Sequence, residues 1–415
     1  MNFKRVVITG LGALTPIGNN VSEYWEALLN GVSGASPITH FDPEHFKTKF
    51  ACELKNFNVL DYMDNREARK MDPCSHYALI STKEAFLDSG LDTKKVDLNR
   101  AGVIFGTGIG GFTSITESVA CFLESDRIPR FNPFFIPKVL GDLIPGFISI
   151  HYGFKGPNYI TSSACASAAN AIVDAYHFIK MGKCDVVISG GSEACIVETA
   201  VGGFNAMHAL STRNDDPTHA SRPFDVNRDG FVMGEGAATV ILEELEHAKA
   251  RGAKIYAEII GVGLTADAYH ITAPHPDGSG AINSMNMAIQ DAQLTIFDID
   301  HINTHGTSTP IGDVSECKAI ETLFGDQAYN MVINSTKSMT GHLLGAAPAI
   351  ESVATILALK NGIIPPTINL VEKDPQILDW NFVANKSLKR DIRTALSNSF
   401  GFGGHNVTLL FKKFE

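Results

Sequence analysis

Short runs of β-branched and apolar residues alternate along the chain with longer stretches whose apolar residues recur at helical spacing. RVVITG, AGVIFG, NYIT, CDVVISGG and ATVILEEL have the length and composition of buried strands. Between them, EYWEALLNG, with Ser22 as its cap and Gly31 as its stop, predicts a helix. SHYALISTKEAFLDSG predicts another, also closed by a glycine. This alternation predicts a layered α/β fold with covered sheets. The pattern then restarts. KIYAEIIGVGLTA repeats RVVITGLGALTP as strand, Gly-x-Gly and small polar loop. The helix SGAINSMNMAIQDAQ, the strand HINTHG, a helix around VSECKAIETLFG and the strand VINSTK follow, and strands TALSNSFG and NVTLLFKK close the chain. The restart predicts an internal duplication that divides the chain into residues 1–252 and 253–415.

Composition narrows the class. At 415 residues, with 44% apolar and 19% charged positions, the chain is globular and long for one core. Its net charge of -11, with no basic tract, speaks against nucleic acid and anionic membrane as partners. Seven cysteines without a C-x-x-C pair argue against a disulfide framework or a closed zinc site and fit a reducing compartment. Gly10, Gly12 and Pro16 break the N-terminal apolar run, so it reads as a buried strand and not a signal peptide. The expectation is a cytoplasmic, soluble protein.

Candidate chemistry gathers at a few positions. In NYITSSACASAANAIVDAYHFIK a strand ends near Thr161 and a helix is expected from about Ala164 to about Lys180, capped by Ser162 or Ser163. Cys165 would then lie in the first turn, where the helix dipole favours thiolate; a buried structural cysteine is the equal alternative. His305 closes the strand HINTHG, a place where α/β proteins put reactive groups. His301 precedes it on the same strand at more than ~12 Å, which argues against a metal pair. His342 lies in a glycine-flanked loop before a helix, whose N-terminus would keep the imidazole neutral. Lys337 stands in that loop and Glu351 in that helix. Around Phe402, Gly401, Gly403 and Gly404 permit either close approach to a ligand or a plain hairpin turn. Gly106, Gly108 and Gly111 match G-x-G-x-x-G without the acidic partner of a dinucleotide site. GGSEA around Ser192 lacks the last glycine of a nucleophile elbow. The first is therefore not read as a cofactor site, and the second is read as a turn after a central strand.

Taken in order, ACAS, HGTSTP, KSMTGH and NSFGFGG resemble the thiolase-fold condensing enzymes, and among them the beta-ketoacyl-[acyl-carrier-protein] synthase II group. The similarity covers essentially the whole chain, with RKMD, SRPFDVNRDGFVMGEGA, DAYHITAPHPDG and PPTINL as further matching segments. It implies a duplicated, five-layered α-β-α-β-α fold, usually a homodimer. It also implies an acyltransferase that condenses malonyl-[acyl-carrier-protein] with an acyl group held on cysteine. On this resemblance Cys165 is the nucleophile, and His305 and His342 are the catalytic histidines. Lys337 orders the site with Glu351 as its partner, and Phe402 is the gating aromatic. The backbone N–H groups of Cys165 and Phe402 form the oxyanion hole. Ile109, Phe135 and Phe204 fall in the acyl pocket, and Thr307 and Thr309 face the substrate. The implied partner is an acyl carrier protein bearing phosphopantetheine-linked acyl and malonyl groups, with no cofactor and no metal. Carrier proteins are acidic, so Arg66, Arg69 and Lys70, or Arg127, Arg130 and Lys138, are candidate docking clusters. Three positions depart from the pattern: Pro348 for a common glycine, His208 for an arginine that faces the carrier in some relatives, and His405 for a common threonine. A thiolase would need a second cysteine late in the chain, and none follows Cys317. A chain-length-factor partner would lack Cys165. A polyketide condensing enzyme would use the same residues.

Overall fold

Among residues 3–415, which the computed structural model describes, ten strands form one continuous sheet that repeats a single pattern twice. The first half holds β1 (Val6–Leu14), β2 (Ala101–Gly106), β3 (Asn158–Thr161), β4 (Val186–Glu193) and β5 (Gly236–Glu244). The second holds β6 (Ala257–Ala266), β7 (His301–Asn303), β8 (Val332–Asn334), β9 (Thr394–Gly401) and β10 (His405–Lys413). Read outward from the centre, the orders are β1-β5-β4-β2-β3 and β6-β10-β9-β7-β8. In each half the first two pairings are antiparallel and the last two parallel. The halves join where β1 runs antiparallel to β6 through Val6–Ile259, Val7–Glu258 and Ile8–Ala257.

Four helices complete the layers. α1 (Pro73–Ser89) covers β1 and β5 from outside, and α3 (Ser279–Asp291) covers β6 and β10 in the same way. α2 (Ser167–Lys180) and α4 (Ala347–Asn361) pack on each other in the central layer. Every residue of α4 from Ala347 to Leu359 is buried, including Glu351, Ser352 and Thr355, as its place between the two halves requires. The duplicated Gly-x-Gly explains the close outer packing. A Cβ on Gly12 would lie 1.9 Å from the Ser81 carbonyl oxygen, and one on Gly263 would lie 1.9 Å from that of Ser284. The two serines are also matched: Ser81 Oγ meets Thr239 Oγ1 at 2.9 Å, and Ser284 Oγ meets Thr408 Oγ1 at 3.0 Å.

Two helix starts differ from the sequence expectation. The helix Val21–Leu29 is capped by Asn20, whose side chain accepts from the Glu23 N–H at 2.9 Å, and Ser22 lies inside it. α2 begins at Ser167 and not at Ala164, because Ala164 takes a left-handed φ of +50° that a right-handed helix cannot include. Neither Ser162 nor Ser163 caps α2; Ser167 Oγ instead accepts from the Ser163 N–H at 2.9 Å and donates to Ala164 O at 2.7 Å.

Candidate active site

Cys165 therefore sits in a tight turn just ahead of α2, between β3 and the helix. Asn170 braces the turn by donating to Ser163 Oγ at 2.6 Å. Gly401, at the end of β9, lies flat against it: a Cβ there would come 2.6 Å from Ser163 O and 3.2 Å from the Cys165 nitrogen. This contact brings the Phe402 and Cys165 N–H groups to the sulfur. Burial pushes the thiol up to about 12, while the Lys337 ammonium and those two N–H groups pull it down. The resting group is a thiol. The thiolate expected from a place in the first helical turn gives way to desolvation, because the cysteine precedes the helix and is buried.

His305 follows β7 by two residues. A buried carboxylate fixes its backbone: the His305 and Gly306 N–H groups donate to Glu316 at 2.9 and 2.8 Å. Burial raises Glu316 to about 7 against the pull of those N–H groups. His342 is held through its own backbone, donating to Val232 O at 2.7 Å and accepting from the Gly234 N–H at 2.9 Å. The two imidazoles stand 5.4 Å apart and nearly perpendicular, at 86°. Phe400 flanks His305 at 5.8 Å and Phe231 flanks His342 at 5.4 Å. Burial lowers both histidines well below 6.5, and Lys337 lowers them further. The neutral state expected for His342 holds, but its causes are burial and Lys337, since α4 starts five residues on. Nδ1 of His305 and both ring nitrogens of His342 are buried without a hydrogen-bond partner. Such atoms cost stability unless a ligand meets them.

Lys337 is not a loop residue. It opens the short helix Lys337–Thr340 after β8, is 1% exposed, and pairs with Glu351 of α4. Burial raises Glu351 to about 7, with Lys337 opposing. The pair lies behind the wall of a cavity of about 600 Å³ that is lined by Cys165, His305, His342 and Phe402. Ile109, Phe204, Thr307 and Thr309 line the same cavity, and the two threonine hydroxyls lie 3.0 Å apart. Phe402 occupies the turn between β9 and β10, as the hairpin reading expects, and lines the cavity.

Other expected positions fall elsewhere. Phe135 does not line this cavity: its helix, Phe135–Val139, stacks it on Phe131 at 5.2 Å in an apolar surface region. Arg66, Arg69, Arg127 and Arg130 are exposed and Lys70 is half-buried; none is on the cavity wall. His208 is exposed at the cavity rim with a φ of +55°, and His405 is exposed at the start of β10. Pro348 sits in the first turn of α4, where it breaks no intrahelical bond. His301 is tied to Asn334 Oδ1 at 2.8 Å.

The glycine motif proves informative for a different reason. Its anion-binding N–H groups are filled by the protein's own Glu193, which accepts from Gly108 at 2.7 Å and Ile109 at 3.2 Å. Sequence reasoning passed over Glu193, Glu316 and Phe400. For Glu193 a signal was present, since it is a lone acid closing an apolar strand inside GGSEA, the segment set aside as a failed elbow.

A buried thiol and paired neutral imidazoles that share one cavity, hung on a duplicated five-layered α/β frame, define a condensing enzyme of the thiolase-like class. The family model described as the beta-ketoacyl synthase N-terminal domain matches residues 3–248, and that of the C-terminal domain matches residues 256–371. The chain belongs to the beta-ketoacyl synthase family. It is 48% identical over 412 residues to the 3-oxoacyl-[acyl-carrier-protein] synthase 2 of Synechocystis sp., covering 99% of each chain. The solved beta-ketoacyl synthase of Burkholderia phymatum superposes with a TM-score of 0.92 at 37% identity, covering 99% of this chain and 100% of that one. The ketosynthase AntDE, solved in complex with its type II polyketide acyl-carrier protein AntF, superposes at 0.91 with 32% identity over 100% of both chains.

Proposed function

We propose that Cys165 accepts an acyl group from acyl carrier protein and that His305 and His342 promote its decarboxylative condensation with malonyl-[acyl-carrier-protein], which elongates a fatty acid by two carbons. In the first step the thiol attacks the acyl thioester. The sulfur gains the acyl group, and the thiol proton leaves on the departing pantetheine sulfur. The N–H groups of Cys165 and Phe402 meet the tetrahedral oxyanion, each contributing about 3–4 kcal/mol. Malonyl thioester then enters. Neutral His305 and His342 donate to its carbonyl oxygen, where enolate charge grows as carbon dioxide leaves. The carbanion attacks the acyl-Cys165 carbonyl, and collapse of the adduct frees the beta-ketoacyl product and the Cys165 thiolate, which takes a proton from water to restore the thiol. Lys337 acts from behind, its charge adding to burial in keeping both imidazoles neutral.

The observation that carries this reading is the set of partnerless ring nitrogens on His305 and His342 in the cavity that Cys165 lines. A polyketide role would use the same groups. Fatty acid elongation is favoured by the full-length identity to a 3-oxoacyl-[acyl-carrier-protein] synthase 2. The exposed Arg66, Arg69, Arg127 and Arg130, with the half-buried Lys70, are the docking cations proposed for the acidic carrier. We place the protein in the cytoplasm as a homodimer; among the described residues no helix is long and apolar enough to cross a membrane. The division at 252/253 belongs to the same reading and falls between β5 and β6. Intact-mass spectrometry tests the function. Acyl-carrier protein should leave an acyl adduct on the wild type and none on Cys165→Ala, and malonyl-carrier should clear it as a beta-ketoacyl product. An adduct that persists on Cys165→Ala would overturn the assignment.

A further inference from the structure

Glu193 is fully buried at the end of β4, and its carboxylate accepts from three backbone N–H groups and one hydroxyl. One oxygen, Oε2, takes the N–H groups of Gly108 at 2.7 Å and Gly345 at 2.9 Å. The other, Oε1, takes the Ile109 N–H and the Thr107 hydroxyl, each at 3.2 Å. Gly108 and Ile109 belong to the loop after β2, and Ile109 lines the cavity. Gly345 belongs to the turn that follows His342. Loop and turn touch backbone to backbone: a Cβ on Gly345 would lie 2.1 Å from the Gly108 nitrogen. Ser162, ahead of the Cys165 turn, donates to Gly108 O at 3.3 Å. One carboxylate thus gathers the loop of the acyl wall and the turn beyond His342. Glu316 does the same service for the His305 loop in the other half.

We propose that Glu193 is a positioning residue that sets acyl-chain-length selectivity, by pinning Ile109 to the turn that follows His342. The proposal rests on the reading of Ile109 as a wall of the acyl cavity. A rigid wall tells chains apart by single methylenes, whereas one that yields accepts them alike. Glu193→Gln isolates the effect. The amide oxygen can keep the Gly108 and Gly345 bonds, and the amide NH₂ then faces the Ile109 N–H, which loses its acceptor. The loop is released at Ile109 while its other ties remain.

The test measures the rate of Cys165 acylation by carrier protein bearing short, medium or long acyl groups. The proteins compared are wild type, Glu193→Gln, Ile109→Ala and the double variant. Expected is a fall of about tenfold in the ratio between the best and worst chain lengths for Glu193→Gln. In the Ile109→Ala background the same substitution should change that ratio no further, because both act through one side chain. Should Glu193→Gln not accumulate as folded protein, Thr107→Val removes the hydroxyl on the same carboxylate oxygen and should shift the ratio in the same direction. A uniform loss across all chain lengths, or effects that multiply in the double variant, would sink the proposal. Failure of the wild type to take any acyl group on Cys165 would instead sink the functional reading beneath it.

Discussion

His305 and His342 are held neutral at an energetic cost that appears as pH dependence. The unfolded chain binds a proton on each imidazole near 6.5, while burial and Lys337 keep the folded values well below that. Below pH 6.5 the unfolded state therefore binds more protons, and stability falls as pH falls. Glu316 and Glu351, raised to about 7, act in the opposite sense: between 4.5 and 7 the folded state binds more protons, so their contribution falls as pH rises. A single variant separates the two. His342→Gln should remove up to about 1.4 kcal/mol per pH unit of acid destabilisation below its unfolded value. Urea unfolding of variant and wild type at neutral and mildly acidic pH measures this; parallel curves would count against a neutral buried imidazole. At this scale the sequence was legible in residue type and order. Cysteine, two histidines and a lysine could be named as a set once their motifs were read together. Their ionisation was not legible. Whether Cys165 rests as thiol or thiolate depends on burial, and burial depends on elements that arrive from distant parts of the chain.

Elements were legible wherever a short-range rule decided them. The Gly-x-Gly of β1 and of β6 announced the duplication, and in the fold both serve one purpose, the close approach of α1 and α3. The start of α2 was missed because serine and a small-residue run satisfy the local capping rule. A left-handed Ala164, in the turn that Gly401 of the other half meets at Ser163 and Cys165, overrides that rule. Phe135 lies apart from this chain's cavity, and a residue's neighbours along the chain do not say which way a short surface helix turns it. The glycine packing makes a direct prediction. Gly263→Ala should destabilise the protein by about 3 kcal/mol, since its Cβ would meet backbone and not a flexible side chain. Gly203→Ala, which meets nothing within 4 Å in the helix Glu198–Ala206, should stabilise by about 0.5–1 kcal/mol. Chemical denaturation of both variants checks the contrast, and equal shifts would refute it.

On the scale of the whole molecule, the sheet has two ends and only one is covered. β8 is closed by Asn381, which accepts from the Ile333 N–H at 2.8 Å. β3 pairs with β2 alone among the described strands, and its residues are exposed or half-buried. The same half carries Val119, Leu123, Phe131, Phe134, Ile136 and Leu140, all exposed. An open edge and exposed apolar side chains call for a second copy. Sedimentation should give twice the chain mass of 44.7 kDa, and Leu123→Glu with Ile136→Glu should give the single-chain mass. A monomeric wild type at micromolar concentration would refute the dimer. The seam between β1 and β6 has a last consequence. With both repeats woven into one fabric, neither can swing away from the other like a jaw. A lengthening acyl tail cannot pry the protein open, and the room it finds is whatever side chains and short segments concede.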